Sequence, residues 1–189
     1  MLNLALGFRQ KIGDWLNERK NISFPTSFAQ TLDMVRSIIV LAQVDTPQRE
    51  KSNNTLKSEL KKICPAAKQQ WLCFRQRHSS NEDSYISADS LRYVSDNDFS
   101  FWFKFTNQDL VNTLSSQYDM MIVFADTPDV LINFTVRYVM SGLRIGKSNG
   151  SQPACDTLNF IVNVPPSAPQ DDSVKYIVEN LNMIFQRRN

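Results

Sequence analysis

One short phrase occurs twice in this chain, and it constrains the fold more than any other feature. Residues 38–47 read IIVLAQVDTP, and residues 121–128 read MIVFADTP. Each apolar run is typical of a strand that is buried on both faces of a sheet. The Thr-Pro that follows is typical of a helix start, because Thr caps free N–H groups and Pro suits the first helical position. The repeat therefore predicts two strand-to-helix turns in one parallel α/β sheet.

Strands and helices alternate along the rest of the chain as well. Apolar runs predict strands at 34–44, 68–77, 99–105, 118–125, 143–146 and 157–164. Periodic apolar stripes predict helices at 47–63, 107–115, 128–141 and 171–187. Thr127 is expected to cap the third of these helices, and Gly142 is expected to follow its last residue. The alternation predicts a doubly wound, mostly parallel sheet of about five or six strands, which is a Rossmann-like fold with a closing carboxyl-terminal helix.

Asp45 and Asp126 directly follow the two repeated strands. In the common strand order 3-2-1-4-5-6 the first and fourth strands are neighbours, and open α/β sheets bind ligands at that switch point. Two carboxylates at this point could hold Mg²⁺ through water or accept hydrogen bonds from sugar hydroxyls. The alternative is a structural role, because Asp readily binds the N–H groups of a turn. The sequence predicts a candidate crevice and leaves both roles open.

No classical phosphate-binding turn and no catalytic constellation can be identified in the sequence. Neither repeated turn carries a Gly-rich fingerprint, and Pro47 lacks an N–H that would help to hold an anion. The segment 144–150 includes the end of the strand predicted at 143–146 and the start of a surface loop predicted at 147–156, and its Arg144 and Lys147 could take an anion. The single histidine, His78, has no identifiable partner that would orient it as a base. We therefore predict no cofactor and no catalytic residue.

Aromatic side chains dominate residues 99–105, which read FSFWFKF. A strand of this kind could stack bases or a sugar. Aromatic strands more often pack in a core, because each ring buries a large apolar area. We expect the core role here.

Composition and charge narrow the functional class. The chain has 189 residues, a net charge of +2, three Cys and one His. This charge is too small for a nucleic-acid footprint, so the sequence carries no DNA signal. The unclustered Cys lack zinc spacing and favour free thiols in a reducing compartment. We therefore predict no metal site. Because no signal peptide and no membrane-spanning run is evident, we predict a cytoplasmic protein.

The amino-terminal segment is the second functional signal. Residues 3–20 have helical periodicity and are joined by a linker to a main domain predicted at 33–189, so residues 1–24 form a separate helix and linker. An exposed apolar stripe with a basic rim suits a protein partner, a membrane surface or an RNA-rich assembly. The alternative is packing of the helix on its own domain, which the linker also allows. The residues predicted to contact the partner are Phe8, Arg9, Lys11, Ile12, Trp15 and Arg19.

Three segments of the chain resemble a family of small uncharacterised proteins from Bacteroidota. They are DFSFWF at 98–103, YDMMIVFA at 118–125 and RYVMSGLRIG at 137–146. The resemblance spans most of the chain. It implies a basic helix at the amino terminus and a helix after the last strand, and it implies no established activity.

Residues 118–146 are also similar to the amino-terminal domain of heptosyltransferase-type GT-B glycosyltransferases. In that domain a strand, a helix and a small-residue-x-Arg-Ile-Gly turn follow in this order, as in residues 141–146 here. This chain lacks the Gly-rich first turn and has no room for the second domain that holds the nucleotide sugar. The resemblance implies the half-fold only and no catalytic residues.

These observations lead to one hypothesis and one alternative. The hypothesis is a non-catalytic cytoplasmic binding or assembly protein, which its amino-terminal helix tethers to a larger partner. The alternative is a small-ligand or sugar-handling enzyme that uses the crevice at Asp45 and Asp126. A complete predicted fold without an assembled catalytic constellation favours the hypothesis.

Overall fold

The computed structural model describes residues 29–74, 91–100, 104–126, 129–148, 158–165 and 170–186. The predicted amino-terminal helix with its contact residues from Phe8 to Arg19 lies outside the described residues, and so does His78. The expectations about them stay predictions, as does the division of the chain into residues 1–24 and 33–189.

Within the described residues, six parallel strands form one sheet in the order β3-β2-β1-β4-β5-β6. The strands are β1 (Ser37–Gln43), β2 (Lys68–Phe74), β3 (Leu91–Val94), β4 (Gln117–Phe124), β5 (Met140–Ser148) and β6 (Phe160–Asn163). The predicted fold class is confirmed. The strand order is also the expected one, with β1 beside β4.

Four helices of the described residues cover the two faces of the sheet. They are α1 (Pro47–Ile63), α2 (Gln108–Ser115), α3 (Val130–Val136) and α4 (Gln170–Gln186). α1 and α4 cover one face, whose core includes Val40, Leu56 and Ile177. α2 and α3 cover the other face, whose core includes Leu41 and Leu110. Burial on both faces explains the near-continuous apolar runs of β1 and β4. No described helix is long and apolar enough to cross a membrane.

Two helices begin where the sequence predicts them. α1 begins at Pro47, and Thr46 Oγ1 accepts a hydrogen bond from the N–H of Arg49 at 3.2 Å. α2 has the predicted cap, Asn107. Such caps satisfy N–H groups that have no partner inside the helix.

The third helix is shorter than predicted. Its cap is Asp129 rather than Thr127, because Asp129 Oδ1 accepts hydrogen bonds from two helical N–H groups at 2.8 and 3.0 Å. α3 ends at Val136, so the expected continuation to Ser141 is wrong. Residues 140–146 pair with β4 instead, and residues 145–148 pair with β6, which makes β5 longer than the predicted strand at both ends.

The third strand of the sheet lies at Leu91–Val94. The described ends of the segment 99–105 lie outside the sheet, so the prediction of this segment as the third strand is wrong. Phe99 and Phe105 form an isolated antiparallel bridge outside the sheet, and their ring centroids are 5.1 Å apart. Both rings also contact Phe134 of α3, at centroid distances of 5.9 and 5.4 Å. These rings pack against a helix. A strand-like aromatic pattern in the sequence looks the same whether the rings pack on a helix or in a sheet.

Asp119 joins β1 and β4 at the amino end of the pair. Its Oδ2 accepts hydrogen bonds from the N–H of Arg36 at 2.7 Å, from the N–H of Ser37 at 3.0 Å and from Ser37 Oγ at 3.1 Å. The same two strands lead to Asp45 and Asp126 beyond their carboxyl ends. This junction therefore helps to set the relative position of the two candidate site residues.

Candidate functional site

Asp45 and Asp126 lie at the carboxyl edge of the sheet, each two residues past the end of its strand. Their strands pair directly, with Ala42 opposite Phe124. The structure therefore brings the two predicted carboxylates together at the topological switch point, the place where open α/β sheets usually bind ligands.

Arg49 lies between the two carboxylates. It is in the first turn of α1, four residues after Asp45, and its Nη1 donates to both carboxylate oxygens of Asp45. Its Nε donates to Asp126 Oδ2 at 2.7 Å. The guanidinium thus bridges the two aspartates and occupies the space between their carboxylates.

Lys147 is the fourth charged residue of this site. Its side chain is only 1% exposed, and its Nζ donates to Asp126 Oδ1. The same Nζ lies 4.5 Å from the centre of the Phe124 ring, a favourable cation–π position. We call Asp45, Arg49, Asp126 and Lys147 the ion-pair cluster; its two negative and two positive side chains balance.

The prediction that Lys147 lies in a surface loop is wrong. β5 continues to Ser148, and side chains alternate between the two faces of a strand. Lys147 therefore lies on the same face as Ile145, beneath α1 and α4. Lys147 contacts Asp126, which is also a predicted site residue, but it does so from a strand and not from a loop.

Two buried polar side chains hold Asp126 in place from behind. Gln43 Oε1 accepts a hydrogen bond from the Asp126 N–H at 3.1 Å. Asn53 Nδ2 of α1 in turn donates to the backbone carbonyl of Gln43 at 3.0 Å. Because buried polar groups are costly unless they are hydrogen-bonded, this chain of contacts favours one arrangement of the strand end.

The cluster shifts the ionisation of its members. Burial alone would raise the pKa of the Asp126 carboxyl, but the hydrogen bonds and charges of Lys147 and Arg49 outweigh burial and hold that pKa below its ordinary 3.8. Burial lowers the pKa of the Lys147 ammonium from its ordinary 10.5, and the carboxylate of Asp126 opposes this only in part. Asp126 is therefore ionised at neutral pH and is a weak base, which does not suit general acid–base work.

A protein-family model matches residues 9–179. The chain belongs to a family of unknown function, DUF6913. The matched region begins inside the predicted amino-terminal helix and includes the six described strands. No curated protein and no solved structure matches the chain.

In this DUF6913 chain, a metal ion at the switch point would have to displace an existing ion pair. Both oxygens of Asp126 already accept hydrogen bonds from cations, and so do both oxygens of Asp45. Among the described residues, no group of three or more His, Cys, Asp or Glu side chains could hold a metal ion. The cluster can stabilise the junction of β1, β4 and β5, and a ligand can bind its carboxylates only by replacing one of these partners.

Arg144 lies away from the ion-pair cluster. It is an odd number of residues from Lys147 in β5 and so is on the opposite face of the sheet. Its side chain is fully buried, and its Nη1 and Nη2 donate to the backbone carbonyls of Val136, at 3.4 Å, and of Val139. The predicted surface position is therefore wrong for Arg144 too. Its guanidinium serves carbonyl groups at the end of α3, where positive charge is favoured.

Sequence reasoning missed Arg49, Gln43 and Asn53. Arg49 carried a usable signal, since Asp and Arg four residues apart on a helix start lie side by side. Gln43 was also visible as one polar residue inside an apolar strand, where a hydrogen-bond partner is required. Asn53 had no such signal, because α1 is polar along most of its length.

Proposed function

We propose that this protein is a non-catalytic binding or assembly protein, which its amino-terminal segment tethers to a larger protein partner. The observation that carries the proposal is the binding of Asp126 by both Lys147 and Arg49. This pairing uses the carboxylate that the switch point would otherwise offer to a substrate or metal ion.

The composition of the cluster supports a scaffold role for the sheet. A general base or a nucleophile needs a free lone pair at the operating pH. A catalytic pair of carboxylates needs two different environments, one that raises the pKa of its carboxyl and one that lowers it. In this cluster, by contrast, the pKa of Asp126 is held low and Lys147 is almost fully buried. Paired, buried charges of this kind fix one arrangement of the surrounding elements.

The amino-terminal segment supports the tether. Residues 3–20 combine an apolar stripe that contains Phe8 and Trp15 with basic residues at its rim. Large aromatic side chains with neighbouring Arg are the residue types that dominate binding energy in protein interfaces. The match of the family from residue 9 onward includes most of this segment. A protein partner in the cytoplasm is proposed; a membrane surface or an RNA-rich assembly would be a different outcome of the test below.

Replacement of the apolar stripe should release the partner. We expect Ile12→Ser with Trp15→Ser to reduce recovery of a stoichiometric protein partner by about tenfold, since loss of one interface hot spot has an effect of this size. The measurement is quantitative affinity purification of the full chain from native cells, followed by reconstitution with the purified partner.

The matched control is Gln10→Ser with Asn17→Ser, which changes the polar side of the same predicted helix. This control should retain the partner. Equal recovery with both variants would refute the tether. A lower thermal midpoint of the apolar-stripe variant alone, without any change of partner, would show that the segment packs on its own sheet.

A second candidate is a small-ligand or sugar-handling protein that uses the crevice at the ion-pair cluster. The specific observation in its favour is Arg49, whose hydrogen bonds to described residues use its backbone N–H, Nε and Nη1 but not Nη2. The resemblance to the amino-terminal half of GT-B glycosyltransferases and to a family from Bacteroidota is compatible with either candidate. A ligand that binds the aspartates would have to open an ion pair, whereas the leading proposal keeps all pairs closed, so the ionisation of Asp126 separates that mode of binding from the leading proposal.

A further inference from the structure

An apolar groove lies on the face of the sheet opposite the ion-pair cluster. It has a volume of about 260 Å³ and opens between α2, the residues after α3 and the bridge formed by Phe99 and Phe105. The residues that line it are Lys104, Phe105, Val111, Leu114, Ser115 and Tyr138. This volume is just below the range of about 300–1,000 Å³ that is typical of sites for drug-sized molecules, so the groove suits one ring with a short substituent.

Aromatic and aliphatic side chains form the walls. The rings of Phe105 and Tyr138 meet edge to face, with their centroids 4.8 Å apart. Phe134 supports both rings from α3, at centroid distances of 5.4 and 4.8 Å, and Leu114 below them is buried. Such mutually packed rings offer a ligand one ring face and one ring edge, which are the two arrangements that aromatic pairs prefer.

The charge at the groove has one sign. Lys104 is exposed and is the only charged residue among the six lining residues, none of which is acidic. Among the described residues no carboxylate forms an ion pair with Lys104. An apolar wall with one uncompensated cation is complementary to a molecule that has an apolar body and an anionic end.

We propose that this groove binds a small aromatic carboxylate, with its ring packed against the rings of Phe105 and Tyr138 and its carboxylate at Lys104. The site goes beyond the proposed tethering function and shares no residue with the ion-pair cluster. It also gives a role to the aromatic bridge, which the proposed function leaves unused.

The test is an NMR titration of the full chain with benzoate, benzamide and benzylammonium, which have similar size and differ in charge. Benzoate should bind most tightly and benzylammonium least, with backbone shifts centred on Phe105, Val111 and Tyr138. Lys104→Gln should weaken benzoate binding by about two- to fivefold, the range expected of an exposed ion pair, and should leave benzamide unchanged. Lys61→Gln, at another exposed lysine, should affect neither.

A second variant tests the apolar wall. Ser115→Phe at the exposed rim should fill the groove and remove binding of both benzoate and benzamide, while the circular dichroism spectrum stays unchanged. Equal affinity for benzoate and benzylammonium, an unchanged affinity in Lys104→Gln, or shifts that lie elsewhere on the domain would overturn the proposal.

Discussion

Asp126→Asn should lower the free energy of unfolding by about 3–5 kcal/mol, the cost expected when one partner of a buried ion pair is removed. The substitution leaves Lys147 with a side chain that is 1% exposed and no carboxylate beside it. It also leaves one amide oxygen as acceptor for two donors, Arg49 Nε and Lys147 Nζ. Urea unfolding of both chains at pH 7 measures the difference.

Asp45→Asn is the matched control, because Asp45 and Asp126 have similar side-chain exposure, 23% and 19%, but only Asp126 pairs with the buried Lys147. We expect a loss of about 1 kcal/mol or less, since Arg49 is partly exposed and keeps Asp126 as a partner. Lys147→Met combined with Asp126→Asn should recover part of the loss, since the uncompensated buried charge is then absent. Equal losses at Asp45 and Asp126 would contradict the ranking of the two ion pairs.

The loss caused by Asp126→Asn should depend on pH in a defined direction. The folded-state pKa of Asp126 is below its ordinary 3.8, so the folded state binds the proton less readily than the unfolded state. The stability that this carboxylate contributes is therefore present above the ordinary pKa and is lost as the pH falls through the lower, folded-state value. The two chains should converge in stability at strongly acidic pH.

Arg144→Leu should lower the free energy of unfolding by about 2–4 kcal/mol, because two buried carbonyl groups lose their donor. The guanidinium is fully buried and donates to the carbonyls of Val136 and Val139 between α3 and β5. Urea unfolding measures the effect, and hydrogen exchange should show the largest loss of protection in α3 and β5.

Arg36→Leu is the control for Arg144, because it removes an exposed guanidinium just before β1. Its effect should stay within about 0.5 kcal/mol, as for most surface substitutions. An unchanged stability of Arg144→Leu, together with a changed affinity for an anion, would instead support the binding role that the sequence suggested for Arg144.

The positions of Asp45 and Asp126 could be predicted because they depend on local patterns. Each follows a continuous apolar strand, and continuous runs indicate a sheet that helices cover on both faces. The order that places β1 beside β4 then follows from the common doubly wound topology. The ends of α1 were equally local, since Thr46, Pro47 and Pro65 mark them in the sequence.

The partners of those carboxylates could not be predicted in the same way. Residues 140–148 have apolar spacing that fits either the end of a helix or a strand, and only pairing with β4 decides for the strand. Once β5 extends to Ser148, alternation places Lys147 against Asp126 and Arg144 on the other face. The prediction for Phe99 and Phe105 was wrong for a related reason, because packing of aromatic rings against Phe134 of α3 looks the same in sequence as packing in a sheet.

The most direct test of the closed ion-pair cluster is the pKa of the Asp126 carboxyl, followed by carbon-detected NMR of the full chain. We predict titration below 3.8, no change on addition of Mg²⁺ or a nucleotide sugar, and a higher pKa in Lys147→Met. Titration at or above 3.8 would contradict the cluster. A pKa of Asp126 that is below 3.8 in the free protein and changes when a ligand is added would instead establish the crevice as a binding site.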